Sequence, residues 1–218
     1  MIRHRRLLAL LTVLALVVPV GLVALAAVAE ASPRAAATPT QRVVVRPVHA
    51  DGAPAAGWSV TRERGYSVQC WGPSASGVTR GISTCGASAD YLPSCWKSRD
   101  HTVLCVRDVR TKKLVRVRYT GAYPAAPAPA RPSPQGLQLG DGERCAIRIG
   151  GAWGSPPSHP QWVGWYSCTR SSVYGPESRR DGIIRSTTPW KVDTWVNGTE
   201  DRIVRRNVTA AYYVGTRR

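Results

Sequence analysis

Phenylalanine is absent from this sequence, and methionine occurs once, at position 1. A core assembled without them draws its large side chains from Leu, Ile, Tyr and Trp, and the eight Trp are the unusual supply. Acidic residues are scarce too: 13 Asp and Glu stand against 30 Lys and Arg, a net charge of +17. Beyond residue 31 the cations are 23 Arg and four Lys, and against 12 acids they leave +15. Histidine is nearly missing from the same region, with only His49, His101 and His159, far apart and without paired-ligand spacing. That excludes a recognisable histidine metal site, and no cofactor is implied. No Gly-x-Ser-x-Gly occurs, which excludes a nucleophile elbow of the serine-hydrolase kind. Ser74, in Gly72-Pro-Ser-Ala-Ser-Gly77, has the wrong spacing and reads as flexible loop. No window carries a capped helical stripe, and no second apolar run of membrane length follows the first.

The first apolar run is N-terminal. Arg3, His4, Arg5 and Arg6 precede a stretch from Leu7 to Ala27, and Ala29-Glu30-Ala31 fits small-x-small cleavage. Residues 1–31 therefore read as a signal peptide, against the rival of an uncleaved signal-anchor. No Cys precedes Cys70, so no lipid-modified cysteine stands at the cleavage point. Six cysteines, all beyond this leader, fit three disulfides in an oxidising compartment, and the expected location is secreted or envelope-associated. Of fifteen connectivities, nearest-in-sequence pairing suits short hairpins: Cys70–Cys85, Cys95–Cys105 and Cys145–Cys168. The first of these follows by elimination only.

Strand signals fill the rest. Glu143-Arg-Cys-Ala-Ile-Arg-Ile149 alternates with period two, and Trp162-Val-Gly-Trp-Tyr-Ser-Cys168 is a second strand-like run. With Cys145 opposite Cys168 in an antiparallel hairpin, Ile147 meets Tyr166 and Ile149 meets Gly164, so sulfur and apolar pairings share one register. Cys95 opposite Cys105 leaves Arg99-Asp100-His101 at a turn. Trp58–Arg62 and Tyr66–Cys70 flank a Gly65 turn, and 114–119 alternates with one basic face. Further strands are expected at 182–185, 190–196 and 203–214, with an Asn197-Gly198 turn between the last two. Residues 32–57, rich in Ala and Pro, read as a tether with an edge strand near 42–48. The Pro-rich stretch 123–136 either links two lobes, 58–122 and 137–216, or crosses the surface of one domain. The expected fold is mainly β, antiparallel and disulfide-stapled, as one compact domain or two packed lobes.

Several motifs resemble a family of uncharacterised secreted actinobacterial proteins. They are Cys85-Gly-x-Ser-Ala with Cys95-Trp96, Leu104-Cys105-x-Arg107-Asp108, Asp141-Gly142-x-x-Cys145, Gly150-Gly-Ala-Trp153, Tyr166-x-Cys168 and Val208-Thr-x-Ala-Tyr-Tyr-x-Gly-Thr216. The resemblance spans nearly all of 65–216, departs at Val109-Arg110, and implies export and disulfides but no activity.

Chemistry is left to the aromatics and cations. Flat indoles beside Arg donors suit sugar rings or polyanionic chains, and the candidate binding residues are Trp153, in the loop, and Trp165 and Arg148, on one outer face. The bland alternatives are Trp as core volume and Arg as coding bias. Thiol catalysis is not expected, since pairing uses every Cys. The local acid pairs Asp141/Glu143 and Glu200/Asp201 read as solvated turn residues, although carboxylates brought together by the fold remain open for glycoside hydrolysis. The leading expectation is a non-enzymatic binding module for an anionic polysaccharide or envelope surface, with nucleic acid less favoured. A secreted protease inhibitor and a carboxylate-dependent glycan hydrolase are the alternatives.

Overall fold

The computed structural model describes residues 37–217 apart from 125, 152 and 197–200. The expected leader, 1–31, and the Asn197-Gly198 turn lie outside the described residues. The region expected as a tether contributes a strand, β1 (Gln41–His49), whose Val43-Val44-Val45 run lies parallel to the end of the chain. Five strands follow: β2 (Ser59–Pro73), β3 (Ile82–Cys85), β4 (Leu92–Ser98), β5 (Thr102–Asp108) and β6 (Lys113–Thr120). Neighbours pair antiparallel, and a parallel pairing of β2 with β6 closes them into a barrel. Gly65, expected at a turn, instead sits inside β2 with φ +91, where the register against β6 slips between Arg62 and Ser67. One long bulged strand replaces the two short ones, because a local kink absorbs what a hairpin turn would reverse.

The second half supplies β7 (Gly136–Leu139), β8 (Arg144–Ile147), β9 (Trp162–Cys168), β10 (Ser172–Pro176), β11 (Ile183–Ile184), β12 (Lys191–Trp195) and β13 (Ile203–Arg217). The sheet order is β1-β13-β7-β8-β9-β10-β12-β11, and β12 also pairs with β13, so six of these strands form a ring. Cys145 faces Cys168 and Ile147 faces Tyr166, in the register that the alternation predicts. The expected third pair, Ile149 with Gly164, does not form. The ladder stops at Ile147, since Gly150 and Gly151 take φ of +46 and +75 and turn the chain away.

Disulfides join Cys70 to Cys85, Cys95 to Cys105 and Cys145 to Cys168, each bridging residues that face one another on adjacent strands. The fold is mainly β, antiparallel but for the two parallel pairings, and stapled by these three bridges. No helix among the described residues is long and apolar enough to cross a membrane.

The two barrels are packed against each other. Ile82, Trp96, Leu104 and Leu114 form one apolar cluster with Val48 of β1 and Val214 of β13. Trp96 Nε1 donates to Thr216 Oγ1 at 3.0 Å. The Pro-rich segment lies along the first barrel: Tyr123 Oη donates to the carbonyls of Gly81 and Cys95, and Ser133 N donates to Ala75 O. Ser74, expected in a flexible loop, is fully buried in a chain of hydroxyls that runs through Ser94 Oγ to Gln135 Oε1, each step 2.7 Å. A buried hydroxyl needs a partner, and here each serine supplies the other's.

Candidate functional site

A groove of about 690 Å³ is lined by residues of both barrels. From the first barrel come Ser88 and Tyr91; from the β8–β9 hairpin, Ile147, Arg148 and Trp165; from the turn after β10, Glu177, Arg180 and Asp181. Arg148 continues the line of β8 and donates its backbone N–H to Trp165 O at 2.9 Å. Its guanidinium donates to Gly151 O at 2.6 Å and lies 5.1 Å from the centre of the Trp153 ring. Carbonyl partners fix the group without cancelling its charge, so the cation stays available beside an aromatic face.

The sequence places Arg148 and Trp165 on one outer face and Trp153 in the loop, leaving open whether the three share a surface. Arg148 and Trp153 do come together. Trp153 rests on Gly164, whose missing side chain is the reason it fits: a Cβ there would stand 2.3 Å from Trp153 Cε3. Trp165 shares the groove but is no free platform. Between Val173 and Tyr174 the β9–β10 register shifts from Tyr166 to Gly164, which makes Trp165 the extra residue of a bulge. The indole is half-buried, packs on the second barrel's core, and has its Cδ1 over Gly182 (φ +65), where a Cβ would come within 2.6 Å. Its Nε1 is buried with no hydrogen-bond partner among the protein groups. Strict alternation put this side chain outside; the bulge moved it into the wall.

Other groove residues carried no sequence signal strong enough to single them out. Tyr91 lines the groove, and burial raises its phenol above the ordinary value, so it stays a neutral donor. Beside it stands Trp71, 52% exposed, with ring centres 6.4 Å apart and its Nε1 held by Gly86 O. Trp71 follows the first cysteine directly, a position where exposure depends on the barrel and not on local pattern.

Two carboxylates line the groove, Glu177 and Asp181, but they differ in commitment. Asp181 is buried with φ +56, and its two oxygens accept the Arg185 guanidinium at 2.8 and 2.7 Å. For Arg185, burial favours proton loss, yet the hydrogen bonds it donates to Asp181 outweigh it and raise the pKa above the ordinary value. Glu177 is exposed. Asp141 and Glu143, expected as solvated turn residues, are an ion-paired cluster instead. Glu143 is buried and accepts Arg206 Nη1 at 2.7 Å, Arg170 N at 2.6 Å and Ser171 Oγ at 3.1 Å. Asp141 accepts Arg206 as well as Arg170. These acids are consumed by folding.

Ser158, His159 and Asp201 have the composition of a hydrolase triad without its geometry. Ser158 Oγ meets His159 Nδ1 at 2.9 Å, but Asp201 accepts the backbone N–H of Ser158 rather than the imidazole. Among the described residues the one cluster of metal-type donors is Cys85, Cys95 and Cys105, whose sulfurs are taken up in disulfides. No family model, curated protein or solved structure matches this chain.

Proposed function

We propose that this chain is an exported, non-enzymatic module that binds an anionic glycan or envelope polymer in the groove between its barrels. The observation that carries the reading is the groove-lining Arg148, held by carbonyls and stacked on the neighbouring Trp153, in a chain with net charge +17. An aromatic face takes the apolar side of a sugar ring, while the neighbouring guanidinium takes its acidic substituent. Export is supported by the basic, apolar, small-residue order of positions 1–31 and by three disulfides.

Retention of the oxidised full chain on an acidic polysaccharide, compared with a neutral one of the same backbone, tests this. Binding should fall steeply with salt, and R148A should weaken it roughly tenfold, as expected for lost charge-assisted hydrogen bonds. Salt-independent retention, or equal retention of R148A and the parent, defeats the reading.

A second reading, a carboxylate-dependent glycan hydrolase, draws on Glu177 and Asp181 lining one groove. The bidentate hold of Arg185 on Asp181 weighs against it, because a general base needs a free oxygen. Release of reducing ends from the bound polymer, abolished in E177Q, would establish it in place of the first.

A further inference from the structure

A second cavity, of about 420 Å³, adjoins the groove and shares Arg180 and Asp181 with it. Its size is within the range of small-ligand sites. Its lining is gathered from remote parts of the chain: Arg42 of β1, Arg131 of the Pro-rich crossing, Arg179 and Arg180 of the turn after β10, and Arg185 after β11. Five guanidinium groups thus meet one carboxylate, Asp181.

The pairing is unequal. Arg185 is committed to Asp181, and Arg179 donates to Asp193 at 3.0 Å. Arg42 lies 5.0 Å from the centre of the Tyr213 ring, a contact that orients the cation but leaves its charge. Among the described residues, Arg42, Arg131 and Arg180 have no carboxylate partner. Trp190 and Tyr213 complete the lining, and Arg185 stacks 5.1 Å from the Trp190 ring centre. Cations collected beside apolar surface repel one another more than they would in open water, and a bound anion reverses the sign of that interaction. The guanidinium fork matches an oxyanion bearing two or more free oxygens.

We infer that this pocket is an oxyanion site, taking a phosphate ester or a carboxylate through Arg42, Arg131 and Arg180. It goes beyond the glycan reading: of its three free donors only Arg180 also lines the groove, and the site holds if the groove binds nothing. Arg179 and Arg185 frame the site through their own acids and are not its free donors.

The test titrates the oxidised full chain with inorganic phosphate and, separately, with acetate, at constant ionic strength. Chemical shifts of the Trp190 indole N–H and of the arginine Nε–Hε groups report on the pocket. Saturable shifts are expected with at least one anion, and which one saturates distinguishes the phosphate source from the carboxylate source. R131A/R180A removes two exposed side chains and should weaken binding by about tenfold or more. R62A/R118A, of equal charge change on the first barrel, should leave it within about twofold. R148A, which disables the groove, should leave it unchanged, so failure of the groove reading and failure of this one are separable. Linear shifts with both anions, or equal weakening in the two double variants, would overturn the pocket in favour of diffuse attraction to a basic surface.

Discussion

The two barrels are built on different chemistry. Inside the first, four half-cystines pack with Val68, Val103, Val115 and Val117, and the sulfurs of Cys85, Cys95 and Cys105 lie within 4.8 Å of one another. A ring of five strands leaves a narrow interior that short side chains and two adjacent disulfides can fill. Inside the second, six strands enclose Tyr166 and Tyr213, and one disulfide remains. Every buried carboxylate among the described residues, Glu143, Asp181 and Asp193, belongs to this half, each matched to Arg. The first barrel's ion pairs among the described residues, such as Arg107 with Glu63, keep their acids at least partly exposed, and none is buried. Arginine pairing in the second brings cations to the cavities, and the surplus over the acids is what the proposed sites draw on.

The largest effect that sharpens this contrast is loss of the first barrel's staples. Closed loops with separations of 15 and 10 residues each contribute roughly 3 kcal/mol on the chain-entropy estimate. Replacing all four cysteines of that barrel by Ala should therefore cost about 6 kcal/mol, comparable with the whole stability of many domains. Replacing Cys145 and Cys168, the single bridge of the second barrel with a separation of 23, should cost roughly 3 kcal/mol. Urea denaturation of the two variants decides it, and the contrast fails if the second-barrel variant is the weaker protein.

Next comes Glu143→Ala. It leaves Arg206, which is only 20% exposed, with Asp141 as its one remaining acid and removes the acceptor of Arg170 N and Ser171 Oγ, and should cost about 3 kcal/mol. The double change Glu143→Leu with Arg206→Met should recover part of that loss, because it removes both charges together but leaves Arg170 N–H and Ser171 Oγ without their acceptor. If it does not, the pair is a stability element in its own right rather than a matched burden.

Alkaline pH acts on buried phenols in both halves, and most strongly on Tyr166 of the second barrel. Burial raises Tyr166 well above the ordinary value and raises Tyr174 in the second barrel, as it does Tyr66, Tyr91 and Tyr123 in the first half. A raised folded-state pKa means that the unfolded chain gives up its proton first. The associated stability is complete below about pH 10 and is lost as pH rises through the folded values. The steepest loss should belong to Tyr166, whose Oη donates to Pro134 O at 2.9 Å in full burial. Tyr166→Phe should cost about 1 kcal/mol at neutral pH and flatten the alkaline limb of the stability curve, read by denaturation across pH.

These contrasts also mark what was legible in the primary structure. Cys145, Ile147, Tyr166 and Cys168 announced their partners because alternation and sulfur pairing are local signals that agreed. Strands β3, β7 and β10 went unseen: each has four or five residues, and β7 and β10 include Gly, so no periodicity can build up. The parallel closures of β1 with β13 and β2 with β6 join residues far apart, a choice made by the whole chain. Arg148 with Trp153 was within reach of local reasoning, whereas Arg42, Arg131 and Arg180 converge only after both barrels have formed. Trp165 was misplaced by one bulged residue, a backbone event that side-chain alternation does not encode.

The smallest expected effect on stability, and the one that isolates the candidate site of the second barrel, is Gly164→Ala. The new methyl would fall 2.3 Å from Trp153 Cε3, so something must move. The indole belongs to a loop and can tilt away, whereas Gly164 is fixed in β9, so stability should change by no more than about 1 kcal/mol. The displaced ring should leave the Arg148 guanidinium, and the ring-current shift on the Arg148 Nε–Hε signal should collapse. Polymer retention should fall with it while the disulfide-stapled first barrel keeps its spectrum unchanged. An intact Arg148 shift in Gly164→Ala would mean that the stack is held by the loop alone, and that β9 does not position the candidate site.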